Sequence, residues 1–353
     1  MISVNVIDVI VPNFKRRLSG VTATVVRLAP LQARMIPLAV AAPSMPPDIP
    51  QVPLWSLPLM SRRGPSGWRV WHARRNVEMI GGLALRHLLG KRLRLVFTSA
   101  SQRHHTGLTR WLIRRMDVVI ATSEKTAAYL ERPARVIRHG IDNTTFSPAA
   151  DRGAVRARLG LAPDGLLIGC YGRIRAQKGT DLFVEAALRL CAAFPDLRAV
   201  VMGRAQPKDA AFLDDLRQRV RAAGMEHRIL FRDEVPVWEM PDWYRALDVY
   251  VAPQRWEGFG LTPLEAMACG VPVVAADVGA FRELVAEGET GFVVDAGSAE
   301  RLERAAAELL ADPARLDRFR AAARTHVERQ FDIHTEAGAL VAIYQRLLAE
   351  EDA

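Results

Sequence analysis

Short apolar runs alternate along this chain with longer segments whose apolar residues recur every three or four positions. In the first part the runs are VNVIDVIV (4–11), RMIPLAVAA (34–42), RLRLVFTS (92–99), DVVIATS (117–123) and ARVIRHGI (134–141). Each has the length and β-branched content of a strand. Between them, TATVVRLAPLQAR and the long basic segment 62–94 predict helices. Residues 43–67, rich in Pro, Ser and Gly, predict a loop or a strand broken by turns. The pattern restarts after SPAADRGAVRARLGLAPDG (147–165). Strands are then expected at 166–174, 197–203, 228–235, 248–254, 271–278 and 291–295. Helices are expected at 180–194, 209–223, 238–246, 261–269 and 280–286, and three more over 298–350. Runs that are apolar without alternation are buried on both faces, which means parallel sheets flanked by helices. The expected fold is α/β, with two doubly wound Rossmann-like domains. The first covers 1–147 and the second 148–332.

Composition is compatible with this picture. The chain has 353 residues, half of them hydrophobic and a quarter charged, enough for two domains with their own cores. No run of eighteen apolar residues suggests a membrane span. The start, MISVNVIDVIVP, reads as a first strand and not as a signal peptide. Cys170, Cys191 and Cys269 are odd in number and far apart. They fit a reducing compartment and small core residues better than a disulfide scaffold or a metal site.

Charge adds a further expectation. Residues 1–150 hold 22 Lys and Arg against 7 Asp and Glu, whereas the remainder holds 26 against 32. The densest part, 62–94, interleaves nine cations with Trp68, Trp71 and several leucines, and has one acid, Glu78. Such a segment suits an anionic membrane surface or an anionic lipid-linked acceptor. No zinc spacing, RNP-type signature or KH-type loop accompanies it, so nucleic acid is not an expected partner.

Ligands of open parallel sheets sit outside the carboxyl ends of the strands. Two segments there carry chemistry. EGFGLTPLE (257–265) follows the run DVYVAPQ. It places Glu257 before a turn of Gly258, Phe259 and Gly260, and Glu265 in the first turns of a helix starting near Leu261. Backbone N–H groups at that turn suit a phosphate, and the two carboxylates suit hydroxyl groups on either side of it. GCYGRIRAQKG (169–179) places Gly172, Arg173 and Lys178 at the end of the second block's first strand. Two cations there can neutralise a diphosphate leaving group. Neither segment is G-x-G-x-x-G or a Walker A loop, which counts against a nicotinamide oxidoreductase or an NTPase.

These segments resemble the E-x7-E and phosphate-binding motifs of family 4 retaining glycosyltransferases, which have the GT-B fold of two Rossmann-like domains facing across a cleft. VIRHGIDNTTFSP (136–148) resembles that family's linker. Within the family, the likeness is greatest to mannosyltransferases of the lipopolysaccharide core, supported by RRLSGVTATVVRLAPLQ and FTSASQRHHTG. The resemblance implies a donor-binding second domain, an acceptor-binding first domain, and a last helix, about 333–353, packed back on the first. Glu265 would bind ribose, and Arg173 and Lys178 the diphosphate, with N–H groups near Leu261 and Thr262. Glu257 and Gly258–Phe259–Gly260 would hold the transferred sugar. Gly20, in a loop after the first strand, would approach the diphosphate, and Val235, in DEVPVWE, would lie beside the base. The departing phosphate would take the acceptor's proton, and no metal or other cofactor would be needed. The implied reaction moves a hexose, mannose from GDP-mannose, to an anionic glycolipid at the inner face of the cell membrane.

Some positions depart from the family pattern. Thr98 and Ser99 stand where a histidine often follows a central strand of the first domain. His105 or His104 is expected to substitute in the site, with His72, Arg74, Arg75 and Arg103 as further acceptor contacts. His139 in the linker replaces a commoner Asn and reads as structural. Three alternatives stay open: a UDP-sugar donor acting on another envelope glycan, another GT-B enzyme such as an epimerase or inverting transferase, and an inactive GT-B protein that binds anionic lipid.

Overall fold

The computed structural model describes residues 2–15, 20–43 and 45–350. The first four residues of RRLSGVTATVVRLAPLQ and the last three of the chain lie outside them. The described chain divides into two compact units, one of residues up to 140 together with those from 333 onward, the other of residues 141–332. The division thus falls at 140/141, seven residues before the expected 147/148. Ile141 and Phe146 are the reason, because both are buried in the second unit's core.

Unit 1 is built on seven parallel strands in the order β3-β2-β1-β4-β5-β6-β7. They are β1 (Val9–Pro12), β2 (Leu38–Ala41), β3 (Gln51–Val52), β4 (Arg69–Ala73), β5 (Leu93–Ser99), β6 (Val118–Ala121) and β7 (Arg135–Val136). Side chains alternate across the sheet. Ile10, Trp71 and Leu95 face one core and Val9, Val70 and Val96 face the other. The helix Ile333–Ala349 belongs to this unit and buries Leu340, Val341 and Tyr344 in the second of those cores, beside the helix Gly20–Ala33.

Three expectations are corrected here. The basic segment 62–94 is not simply helical: β4 runs through it, and its helix is Asn76–His87. The run 134–141 forms only a two-residue strand. Gly20 is not in a loop but is the first residue of its helix.

Unit 2 has six parallel strands in the order β10-β9-β8-β11-β12-β13. They are β8 (Leu166–Tyr171), β9 (Leu197–Met202), β10 (Ile229–Arg232), β11 (Val249–Ala252), β12 (Val273–Ala276) and β13 (Gly291–Val294). In both units the chain winds outward from its first strand on one side, then returns to begin again on the other. The strand order therefore reverses between β1 and β4, and between β8 and β11. A crevice opens at such reversals because the loops on either side lead away in opposite directions. The three cysteines are buried and unpaired, and among the described residues no helix is long and apolar enough to cross a membrane.

Candidate functional site

The reversal point of unit 2 gathers the residues of both quoted motifs. Gly172 follows β8 with φ +136°, and Arg173 beside it is exposed. Lys178 ends a short turn, and Gly179 follows with φ +69°. A Cβ on Gly179 would lie 1.9 Å from the carbonyl oxygen of Pro253, just beyond β11. Only glycine lets these two loops close on one another.

Closure brings Lys178 to Glu257, 79 residues further on, with Nζ 2.5 Å from Oε2. The other carboxylate oxygen, Oε1, accepts from the Gly258 N–H at 2.9 Å. Gly260, with φ +88°, is tightly enclosed: a Cβ there would sit 2.2 Å from the Phe281 ring and 3.0 Å from the Glu257 side chain. Phe259 turns into the core, so its side chain is a packing anchor and only its backbone faces outward chemistry. The helix after this turn, Thr262–Ala268, is seven residues long and its first turn has no side-chain cap. So short a helix adds little dipole, and Lys178 and Arg173 supply the main positive charge.

Glu265, in that helix, is held from behind. Tyr244 Oη donates to its Oε2 at 2.9 Å. Tyr244 is fully buried against Tyr171 and Tyr250, and burial together with the Glu265 charge pushes its hydroxyl well above the usual range. A neutral phenol that cannot ionise is a fixed donor. Val235, partly buried, packs against the same core as Tyr244 and Met202.

Two residues that the sequence did not single out complete the arrangement. Arg255 donates to both carboxylate oxygens of Asp181 at 2.7 Å and to the carbonyl of Ala176 at 2.6 Å. Its own N–H donates to Gln177 at 3.1 Å. This fork ties the turn bearing Lys178 to the loop bearing Glu257. Gln254 is buried, yet its Oε1 has no hydrogen-bond partner. It lines a cavity of about 10 Å³ with Gly172, Arg173 and Lys178.

Unit 1 presents a different edge. Among the described residues, four buried polar atoms lack partners just beyond adjacent strands of its sheet: Asn13 Nδ2 after β1, Arg74 Nη1 after β4, His105 Nε2 in the loop after β5, and Thr122 Oγ1 after β6. Unsatisfied buried polar atoms are rare and costly. A row of them along the carboxyl edge marks a surface that fits a polar ligand or ordered water. Burial, and then the Arg103 charge, pushes His105 below the ordinary imidazole value, while Glu131 pulls the other way. His105 is therefore neutral near pH 7. Gly20 is exposed and has open space at its Cβ position.

Two of the other expected acceptor contacts, His72 and Arg75, are engaged inside unit 1. His72 is fully buried on β4, with Nδ1 2.6 Å from Tyr344 Oη and Nε2 2.7 Å from Thr98 Oγ1. Burial, reinforced by Arg74, pushes it well below 6.5. Both ring nitrogens are taken, so it is a core histidine. Arg75 donates to Glu78, Asn13 and Thr22, which makes it a brace. His104 is exposed and packs edge-on against Tyr129, and Arg103 is exposed. His139 bonds Glu336 at 2.7 Å, a structural role.

The basic segment is largely internal as well. Arg69 is buried and donates to Ile7 and Ser61. Arg86 pairs with Asp117, and Arg92 and Arg94 lie over the Trp68 ring. An eye on charge alone reads these cations as a docking helix, but most of them hold unit 1 together.

The comparisons agree with this geometry. A family model described as glycosyl transferases group 1 matches residues 151–326. The lipopolysaccharide core biosynthesis mannosyltransferase LpsB of Rhizobium meliloti (strain 1021) is 50% identical over 353 residues, 99% of this chain and 100% of that protein. The corresponding LpcC of Rhizobium leguminosarum bv. viciae is 49% identical, over 98% of this chain and 97% of its own. The crystal structure of Anabaena Alr3699/HepE in complex with UDP superposes with a TM-score of 0.80 at 19% identity, covering 96% of this chain and 100% of that one, a likeness of fold. With full-length identity of this level to two members, and with the two Rossmann-like units of the GT-B fold, the chain belongs to the group 1 glycosyl transferases and is a glycosyltransferase.

Proposed function

We propose that the protein transfers mannose from GDP-mannose, with retention, to an anionic glycolipid of the lipopolysaccharide core. The observation that carries this reading is the meeting of Lys178 and Glu257 at the reversal point of unit 2, with Arg173 exposed after β8 and Glu265 in the helix that follows the Glu257 turn. A nucleotide sugar has a diphosphate in the middle and hydroxyl groups at both ends, and the order of cations and carboxylates here follows that shape. The names of the two full-length relatives supply the sugar and the acceptor class.

In this reading Lys178 and Arg173 take the diphosphate and stabilise its negative charge as the anomeric bond breaks. Lys178 exchanges its contact with Glu257 for the phosphate, which frees one Glu257 oxygen for a sugar hydroxyl. Backbone N–H groups from Gly258 to Thr262 add donors. Glu265, held through Oε2 by Tyr244, takes the ribose. Val235 borders the base. The cations replace a divalent ion, so transfer should proceed in the presence of a chelator. In unit 1, Arg74 and His105 with their unpaired nitrogens are the acceptor contacts best supported, and Gly20 leaves room for an approaching group.

Donor binding tests the proposal. Saturation-transfer NMR against GDP-, UDP- and ADP-sugars should show GDP-mannose bound by the wild type and not by Glu265→Ala. Selective binding of a UDP-sugar would replace the donor assignment. Binding of no nucleotide sugar by the folded protein, even with acceptor lipid present, would overturn the reading of the site.

A further inference from the structure

Large exposed apolar side chains gather in unit 1. Trp55 and Leu59, 71% and 73% exposed, flank the short helix Ser56–Leu59. Val77 and Ile80 stand on the helix Asn76–His87, and Leu88, 81% exposed, follows its end with Leu89. Positions 77, 80, 84 and 88 recur every three or four residues, so they form one stripe along the helix. Leu108 and Trp111 are exposed on the helix Gly107–Ile113. That helix packs beside Asn76–His87 and is tied to it by Asn76 Nδ2 donating to Thr109 Oγ1 at 2.7 Å. Between the stripe and the Ser56–Leu59 helix lies a groove of about 450 Å³. Phe14, Leu54, Leu57, Trp71, Leu85 and Leu88 line it, and among the described residues no charged side chain does. Its size is that of a small-ligand site.

Cations border this apolar ground. Arg62 Nε donates to the Gly90 carbonyl at 3.1 Å, and Lys91 Nζ donates to that of Met60. Arg115 lies 3.6 Å over the Trp111 ring and donates to its carbonyl. Arg63 is exposed. The Arg62, Lys91 and Arg115 side chains are anchored to main chain or an aromatic ring beside the leucines. Across 54–63, 76–92 and 107–115 the one acid is Glu78, which is buried and paired with Arg75. Apolar residues that would penetrate, cations at their margin and tryptophans that bridge the two are the chemistry of an anionic lipid interface. A protein partner would have to bring a carboxylate for each cation as well as an apolar ridge, whereas an anionic leaflet presents phosphates and acyl chains together.

We propose that this face of unit 1 seats in the interfacial layer of an anionic membrane, with one lipid acyl chain in the groove. It rests on the reading of the acceptor as lipid-linked, and its test is separate from donor chemistry. The full chain is mixed with vesicles of phosphatidylcholine, with and without phosphatidylglycerol, and binding is measured by flotation. Trp fluorescence quenching by lipids brominated along the acyl chain gives the depth. The wild type should float with the anionic vesicles and be quenched, with the signal from Trp55 lost in Trp55→Phe. The double variant Leu59→Asp/Leu88→Asp should lose at least about tenfold in association, since two apolar side chains no longer enter the interface. Ala84→Trp, which fills the groove, should reduce quenching from the acyl chain while charge-driven flotation persists. Because Leu59 and Leu88 are exposed, the double variant should keep its melting temperature, its donor binding and its transfer to acceptor dispersed in detergent. Unchanged flotation of the double variant would overturn the proposal. So would a wild type that ignores both vesicle types and sediments as a dimer, which the double variant returns to monomer. If donor binding fails while flotation behaves as described, the reading of the donor site falls and the membrane face stands.

Discussion

Both units wind their sheets in the same sense about their first strands, yet the polar groups at their carboxyl edges are engaged to different degrees. In unit 2 the charged groups of the site are bonded to a neighbour, Lys178 to Glu257, Tyr244 to Glu265 and Arg255 to Asp181, and Gln254 Oε1 and Arg175 Nε are the buried atoms beside them without a described partner. In unit 1 a row of them, Asn13, Arg74, His105 and Thr122, has a buried atom with no partner. A bonded set holds its geometry before the ligand arrives, so little ordering is lost on binding. An unbonded row gains hydrogen bonds only when a ligand or water comes. The same architecture thus presents one pre-set site and one site that is completed from outside.

The comparison can be broken most forcefully at Lys178. Lys178→Ala should lower kcat/KM by about a hundredfold to a thousandfold, the range for removing one group that stabilises a leaving anion. Initial rates with GDP-mannose and acceptor lipid measure this, and circular dichroism should show the fold kept.

Arg255 comes next. It touches neither motif's reacting groups, but it fixes the two loops that carry them. Arg255→Ala should lower kcat by about tenfold to a hundredfold, as expected for slight misplacement, with a smaller change in KM. Arg255→Lys should restore part of that loss. Full restoration by Arg255→Lys would make the fork's geometry irrelevant, and an unchanged kcat in Arg255→Ala would remove Arg255 from the site.

Tyr244→Phe should weaken donor binding by about threefold to tenfold, the net worth of one ordinary hydrogen bond, because the bond lost positions Glu265 and does not touch the donor. Isothermal titration against GDP-mannose reads this directly. If binding is unchanged, Glu265 needs no support from behind and unit 2 is less pre-set than described.

Unit 1 offers a pH test with the smallest effect on activity. His72 titrates well below 6.5 in the folded state because it is buried. The unfolded chain binds this proton first as pH falls. Stability contributed by neutral His72 is therefore present above pH 6.5 and is lost as pH drops below it toward the folded value. The slope approaches about 1.4 kcal/mol per pH unit. Urea unfolding between neutral and mildly acid pH should show it. His72→Gln should be less stable overall but flatter with pH, while its transfer rate at neutral pH changes little.

Much of the fold was legible in sequence because its cause is local. Runs such as RLRLVFTS and DVYVAPQ are buried on both faces, and burial on both faces removes the alternation that a half-exposed strand shows. The motif glycines were legible for a similar reason, since Gly179 and Gly260 stand at positive φ. Strand β4 was missed because Arg69 and His72 occupy it. Both are polar in sequence and wholly buried in the structure, with partners such as Ser61 and Tyr344 supplied by the fold. The reading of 62–94 as one helix failed on the same point. A count of cations does not distinguish Arg75 braced against Glu78 from Arg63 open to solvent.

The sequence by itself determined that there would be two parallel-sheet units, and that Gly172, Arg173, Lys178, Glu257 and Glu265 would lie at strand ends. Periodicity and turn chemistry act over a few residues, so they can be read without knowing what packs where. Only tertiary structure decided that Lys178 would meet Glu257, that Tyr244 and Arg255 would hold them, that His72 would be sealed in the core and His105 left with an unpaired nitrogen. Those outcomes depend on distances between residues tens to hundreds of positions apart. Burial and hydrogen bonding, which fix a side chain's charge and availability, are set by those distances.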